Sequence, residues 1–445
     1  MRNTPTLMGA KTYGPHYRSL IDFQVMHVRA AGGRGSDKIH DGLGFMSQHI
    51  AMTSEFELAM QSVSPFITIP YWDYTIDSIN IETHYRNASN FFDSCELFSP
   101  GWFGRTSKTA HTVVEGRMGY LDIPHDYNFT VRSAYGFLRA PWNINPSRYI
   151  TRYHSMCGVD QVNQIFSNTK EDLSWPSCAS HFKMANSDTM SSWYEWAWNI
   201  SYLPHGPIHA WIGGIGGDCA NFDDMYDAGW ITDDQLLRIK HNAFIFLKDG
   251  WHDFIIETPT YCSADSASAS ECKWVCADDV SNNSKAQALL REYGAIRGDH
   301  PHFEEIARKV FCETAWWPGD HFEAASPSEA SFWPMHPTLD RLLQYKDMAI
   351  PFKNEDWVIS DESTYCRFPA GTTDCKGHHA YDLTFFKTAM KDMSGQYKSK
   401  HWTNEEVRNA ALPVTSTYML PYVYNSFEWN HCKEVGIDFM SLVSA

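Results

Sequence analysis

The sequence predicts a mainly α protein with a four-helix-bundle core, long irregular loops and short strands. Three observations lead there. Apolar residues recur at helical spacing within 15–63, 203–212 and 337–343. Strand-like character is confined to short runs such as FITIPY at 66–71. Histidines fall at or beside the ends of the helical segments, which places them toward one bundle core.

In chain order, Leu20, Ile21, Phe23, Val25 and Met26 form an apolar face leading to His27, and the loop AAGGRGSDK breaks that helix. Good helix formers resume over 45–63, and 66–71 reads as a short strand. Residues 75–190 are rich in Asn, Ser, Pro and aromatics and read as irregular chain wrapped on the core, with a turn at Asn145-Pro146. The stretch 192–212 is aromatic-rich, and Pro204 marks a helix start running to Trp211. Residues 217–328 carry their own helices at 233–247 and 285–293, with a Ser/Ala/Cys-rich loop at 262–276. A further helix is expected from near Pro337 through Leu343, and an exposed one at 405–411 in a mixed tail.

The balance of 36 Lys and Arg against 53 Asp and Glu gives a formal charge of −17. So acidic a surface repels phosphate backbones, which excludes nucleic acid and anionic membranes as partners. No run approaches the ~20 apolar residues of a membrane helix, and the opening MRNTPTLMGAKTYG shows no apolar signal-peptide core. Eleven cysteines without a CxxC pair argue against zinc ribbons and thioredoxin-like chemistry. With sequons at Asn87, Asn128, Asn199 and Asn282, they suit a secreted or lumenal, disulfide-bonded glycoprotein. Cys366 and Cys375 are expected to pair, Cys272 or Cys276 to join a bridge, and the odd count to leave one thiol over.

Of the 21 histidines, most serve as ordinary surface or core residues, so ligand spacing is what matters. His205 and His209 lie four apart and share one helix face. His40 precedes the 45–63 helix, and His49 lies one turn inside it, with Glu57 two turns further along the same face. His336 opens the helix that carries Asp340, and His27 ends the first helix. Six imidazoles on four helices make a dinuclear bundle-core site, suited to copper, zinc or iron and not to magnesium or calcium. A zinc hydrolase built on His205 and His209 ranks last, because no carboxylate ligand or base lies nearby and HExxH is absent. His300 and His302 in GDHPHFEE read as a solvated helix start.

These motifs, in this order, resemble those of the tyrosinase, catechol oxidase and molluscan haemocyanin family, whose members hold two type 3 copper ions with three histidines each. His40, Phe45, His49, Thr53 and Glu57 fit its first copper signature, with Gln48 and Ile50 replacing an aromatic and an Arg. PYWDY at 70–74 is similar to the stretch that follows. LPHGPIHAWIGG at 203–214 and FWPMHPTLDR at 332–341 resemble the two parts of the second signature. In the latter Met335 stands for a histidine, and Glu329-Ala330 stand for Asp-Pro. Tyr422-Val423-Tyr424 looks like the Y-x-Y motif that closes the family's catalytic domain.

The resemblance implies copper ligation by His27, His40, His49, His205, His209 and His336. His27 is preferred to His16 because VMH precedes a Gly-rich loop. It implies one domain over 1–430: core segments 1–217 and 329–345, an insertion or subdomain at 218–328, and a C-terminal extension at 346–445. It further implies an oxidase using O2 to convert o-diphenols to o-quinones, with a small phenolic substrate docking by Gly206 and Ala210. The other family role is a non-enzymatic, haemocyanin-like O2 carrier. Family members that hydroxylate monophenols often carry Asn where this chain has Gly206, so weak or no monophenol hydroxylation is expected. Lys38 occupies the place of a thioether-forming Cys, so His40 needs another orienting contact. With Ile50 in the Arg position, either Arg341 or another cation is expected to partner Asp340, or the bundle to be looser there.

Overall fold

In the computed structural model, residues 1–85, 88–125, 133–159, 174–186, 190–263, 272–276, 280–312, 315–357, 366–367, 375–392, 394–414 and 419–443 are described. The fold is mainly helical. Helix α1 (Leu20–Ala31) starts where the Ser19 hydroxyl accepts from the Asp22 N–H, and it buries Phe23, His27 and Val28. Residues 32–44 are irregular and lead into α2 (Phe45–Val63), whose first two turns are buried. A π turn over Ser201–His205 precedes α3 (Gly206–Gly213). Within that turn Leu203 leaves helical geometry (φ −145°, ψ 117°), as a residue before proline tends to. Helix α4 (Ala243–His252) lies in the long insertion, and α5 (Phe332–Ala349) closes the core.

Several expected boundaries move, each for a local reason. The 66–71 run forms no strand: the Ile69 N–H bonds a Glu57 carboxylate oxygen, Trp72 N–H bonds the Pro334 carbonyl, and Pro70 has no donor. The single helix expected over 233–247 is two, Asp233–His241 and α4. They break at Asn242, whose side-chain amide bonds the Arg238 carbonyl. Helix α5 begins at Phe332 and not near Pro337, since Pro334 sits in a first turn whose N–H groups have no helical partner anyway. The irregular 75–190 region contains short helices Tyr74–Asn80, Ala88–Ser94 and Cys178–Ala185.

The insertion begins and ends side by side. Strand β1 (Ile215–Asp218) pairs antiparallel with β2 (Ala315–Pro318). Beyond β2 the chain lies directly on α3: a Cβ on Gly213 would fall 2.3 Å from the Phe322 Cβ, and one on Gly319 would fall 2.2 Å from the Gly213 carbonyl oxygen. Only glycine permits that approach. The insertion shares its core with the rest of the chain, since Phe246, Phe311 and Phe322 lie in one buried cluster with Val28, Ile144 and Ala210. Two buried ion pairs tie the irregular region to the segment before α5: Arg139 with Asp320, and a bidentate Arg152–Glu329 pair at 2.7 Å on both arms.

Cys366 pairs with Cys375, Cys272 with Cys262 and Cys276 with Cys312; Cys157–Cys219 and Cys178–Cys432 complete the set. Cys95 is the buried free thiol. No described helix is long and apolar enough to cross a membrane. The sequons at Asn87 and Asn128 lie outside the described residues.

Candidate metal centre

Helix ends and one loop bring the six histidines into two triads. His27 from α1, His40 from the loop and His49 from α2 form the first; His205 and His209 around the start of α3 and His336 from α5 form the second. Within each triad the ligand nitrogens lie within 4.8 Å of one another. The triads face each other, with the His49 and His336 rings stacked at 4.6 Å. His16 lies exposed on the surface, away from both groups. The third cluster of possible ligand atoms, Cys178, His431 and Cys432, has both its sulfurs in a disulfide.

Every one of the six Nδ1 atoms meets an oxygen that can only accept. His49, His205 and His336 each donate to the carbonyl one turn back in their own segment: Phe45 (2.7 Å), Ser201 (3.0 Å) and Phe332 (3.0 Å). His27 donates to the Ala324 carbonyl (2.6 Å), His209 to the His321 carbonyl, and His40 to Asp37 Oδ2 (3.0 Å). The proton is thereby fixed on Nδ1, and six Nε2 lone pairs point inward. His205 Nε2 lies 2.9 Å from His209 Nε2 and 3.2 Å from His336 Nε2. Three imidazoles on one ion at roughly 2.0 Å place their nitrogens about 2.8–3.5 Å apart. Buried Nε2 atoms of His27 and His49 have no hydrogen-bond partner. Converging lone pairs without donors are costly unless a cation stands between them, so the residues fit a pair of metal ions.

Burial, reinforced by the neighbouring imidazoles, holds His27, His49, His205 and His336 well below the usual imidazole range. Burial alone accounts for most of the fall of His209 to about 3. These five histidines are therefore neutral at neutral pH, as metal binding requires.

A cavity opens onto the centre past His40, His205, Gly206 and His209, roofed by Trp142 and Phe244. His40 keeps 15% of its side chain exposed, so solvent reaches the metal positions from this side. Gly206 lines the cavity; Ala210 does not, being fully buried in the core beneath. The carboxylates in the wall are engaged. Asp37 and Asp41 share Lys248, and Asp41 also accepts from the Tyr202 hydroxyl at 2.9 Å. Asp249 pairs with Arg367 at 2.7 Å. Glu323 accepts from the Ala140 N–H at 2.7 Å, and its other oxygen has no hydrogen-bond partner. Burial first, then nearby Asp320, pushes its pKa up to about 8. Glu195 is elsewhere, closing the exposed capping box that starts helix Trp193–Ile200.

A second, smaller cavity lies where Ile50 replaces the expected Arg; Glu57, Asp340, Tyr422 and Tyr424 line it. Among the described residues no cation has taken over. Tyr424 donates its hydroxyl to Asp340 at 3.2 Å, while Arg341 turns to Asp73 and to the Ser426 and Glu428 carbonyls. Burial raises the Asp340 pKa to about 7. The partners supplied by Asp37, Lys248, Glu323 and the 321–324 backbone escaped sequence reasoning; the one signal was Asp37 standing three residues before His40.

Residues 17–230 match the common central domain of tyrosinase. The matched span holds five of the six histidines; His336 lies beyond it and joins them through the fold. No curated protein matches the chain.

Proposed function

We propose, from the premise that this chain carries the tyrosinase central domain, that it is a type 3 copper oxidase acting on o-diphenols with O2. The six histidines named above would hold two copper ions, which supply the two-electron exchange with O2 when bound. The chain's own groups do the rest. Six Nδ1 acceptors fix ring orientation, Trp142 and Phe244 give the cavity an apolar wall, and the missing side chain at Gly206 leaves room for a planar ring.

The observation that carries the reading is the cavity that opens to solvent onto histidines of both triads. A haemocyanin-like carrier, the other role in this family, is better served by a covered centre.

Preference for diphenols over monophenols rests on the state of the wall carboxylates. A phenol arrives neutral and needs a base; Asp37, Asp41 and Asp249 are each bound to cations, and Glu323 keeps its proton at neutral pH in the metal-free protein. General-base help is worth about 10²–10⁴ in rate. Initial rates on a catechol and on its matching monophenol, with copper loading verified, test this. A clear catechol advantage is expected, and Gly206→Asn should raise the monophenol rate. Monophenol turnover by the unmodified chain as fast as catechol turnover, without a lag, would overturn the preference. Absence of turnover on both, with reversible O2 uptake, would favour the carrier.

A further inference from the structure

We propose that Lys248, from the inserted segment, is a positioning residue for the first triad: by clamping Asp37 it holds the His40 imidazole as that triad's most strongly donating ligand. The inference rests on the dicopper reading and concerns how this chain supports it.

The two triads differ in one respect. Five of the six ligands give their Nδ1 proton to a backbone carbonyl, and His40 alone gives it to a carboxylate. A carboxylate acceptor draws more on that proton than a carbonyl does and makes Nε2 a better metal donor. His40 is thus the first triad's strongest donor.

Such a carboxylate has to be aimed. Asp37 keeps 1% of its side chain exposed, so its orientation is set by protein partners and not by bulk water. Its Oδ1 is fixed by the Ile39 and His40 N–H groups at 3.0 and 2.8 Å. Its Oδ2, which faces His40, lies 3.0 Å from the Lys248 Nζ. Asp41 grips the same ammonium group, and its own orientation comes from Tyr202. Lys248 is on α4, so the insertion reaches His40 through this side chain and Asp37, beside the Ala324 carbonyl that it gives to His27. Without Lys248, Asp37 and Asp41 would face each other with nothing between them, and the Asp37 oxygen that meets His40 would lose the contact that aims it.

The test measures copper affinity by competition with a chelator in two single-site backgrounds. His336→Ala leaves the first triad intact; His49→Ala leaves the second. Lys248→Met is expected to weaken copper binding about 10–100-fold in the first background and to leave the second within about twofold. Asp37→Asn should act in the same direction and in the same background. Lys248→Arg, which keeps the charge, should restore most of the loss, and this separates positioning from a general loosening of the fold. Equal weakening in both backgrounds, or none in the first, overturns the assignment of Lys248. Failure of the unmodified chain to bind copper overturns the dicopper reading instead.

Discussion

Replacing Glu323 by Gln should stabilise the metal-free protein, and only above a definite pH. Glu323 is 6% exposed, and burial holds its folded-state pKa at about 8 against the ordinary glutamate value of 4.5. A folded pKa raised above the unfolded one means that the folded state binds the extra proton. Stability is then fully present below about pH 4.5 and is lost as pH rises through about 8. At 1.36 kcal/mol per unit, the difference between 8 and 4.5 sets a ceiling of about 5 kcal/mol. Gln has the shape of the protonated acid and no charge to desolvate, and its carbonyl can still accept from the Ala140 N–H. The variant and the unmodified chain should therefore unfold together below about pH 4.5, diverge between there and about pH 8, and stay apart above. With an unfolding entropy of about 2.1 cal/mol/K per residue over 445 residues, each kcal/mol moves Tm by roughly 1 °C. The expected gap at pH 8.5 is about 2–5 °C in favour of the variant. Scanning calorimetry on both proteins across pH, without copper, measures it. A gap that does not vary with pH, or a variant less stable at pH 8.5, would refute the reasoning.

The metal-free protein should lose stability as pH falls. His209 is held at about 3 and the other buried ligands are depressed, so their contribution is present above the unfolded imidazole pKa of about 6.5 and is lost below it. Tm should begin to fall near pH 6.5 without copper and at lower pH with it; a flat metal-free Tm between pH 7 and 5 would contradict this. Ile50→Arg should supply the cation that Asp340 lacks and raise stability by about 1–3 kcal/mol at pH 8. Denaturant midpoints should show that gain shrinking at pH 5.5, where Asp340 is neutral, and a loss at pH 8 would count against it. In a chain expressed through a secretory pathway, peptide mass spectrometry should find a glycan at exposed Asn282 and none at Asn199. The Asn199 amide donates to the Glu195 carbonyl (2.7 Å) within its own helix.

The gathering of the six histidines was legible because helix periodicity and histidine spacing carry the same message. His205 and His209 share a face by arithmetic alone, and His49 lies one turn inside its expected helix; His336, expected to open its helix, lies one turn inside it, and each of these segments takes the Nδ1 proton on its own carbonyl. What orients His27, His40 and His209 was not legible in full. The Ala324 and His321 carbonyls carry no side-chain signature, and their approach depends on Gly213 and Gly319 admitting the chain after β2 against α3. An orienting contact for His40 was expected and Asp37 supplies it, but Lys248 lies 207 residues from Asp41 and nothing local marks it. The same limit misled the reading of 66–71: its alternation suits a strand, yet a Glu57 oxygen and the Pro334 carbonyl capture its donors. Of the two outcomes expected at Asp340, the described residues bring no cation but leave a cavity beside Ile50, and Tyr424, 84 residues on, donates to the carboxylate instead.

The most direct test of the central claim is metal analysis of the purified chain combined with its absorption spectrum before and after addition of hydrogen peroxide. The account predicts two coppers per chain, falling to one in His49→Ala and in His336→Ala, with a strong near-ultraviolet band that both variants lose. A single zinc per chain, or two coppers with no such band and no change on removing either histidine, would contradict it.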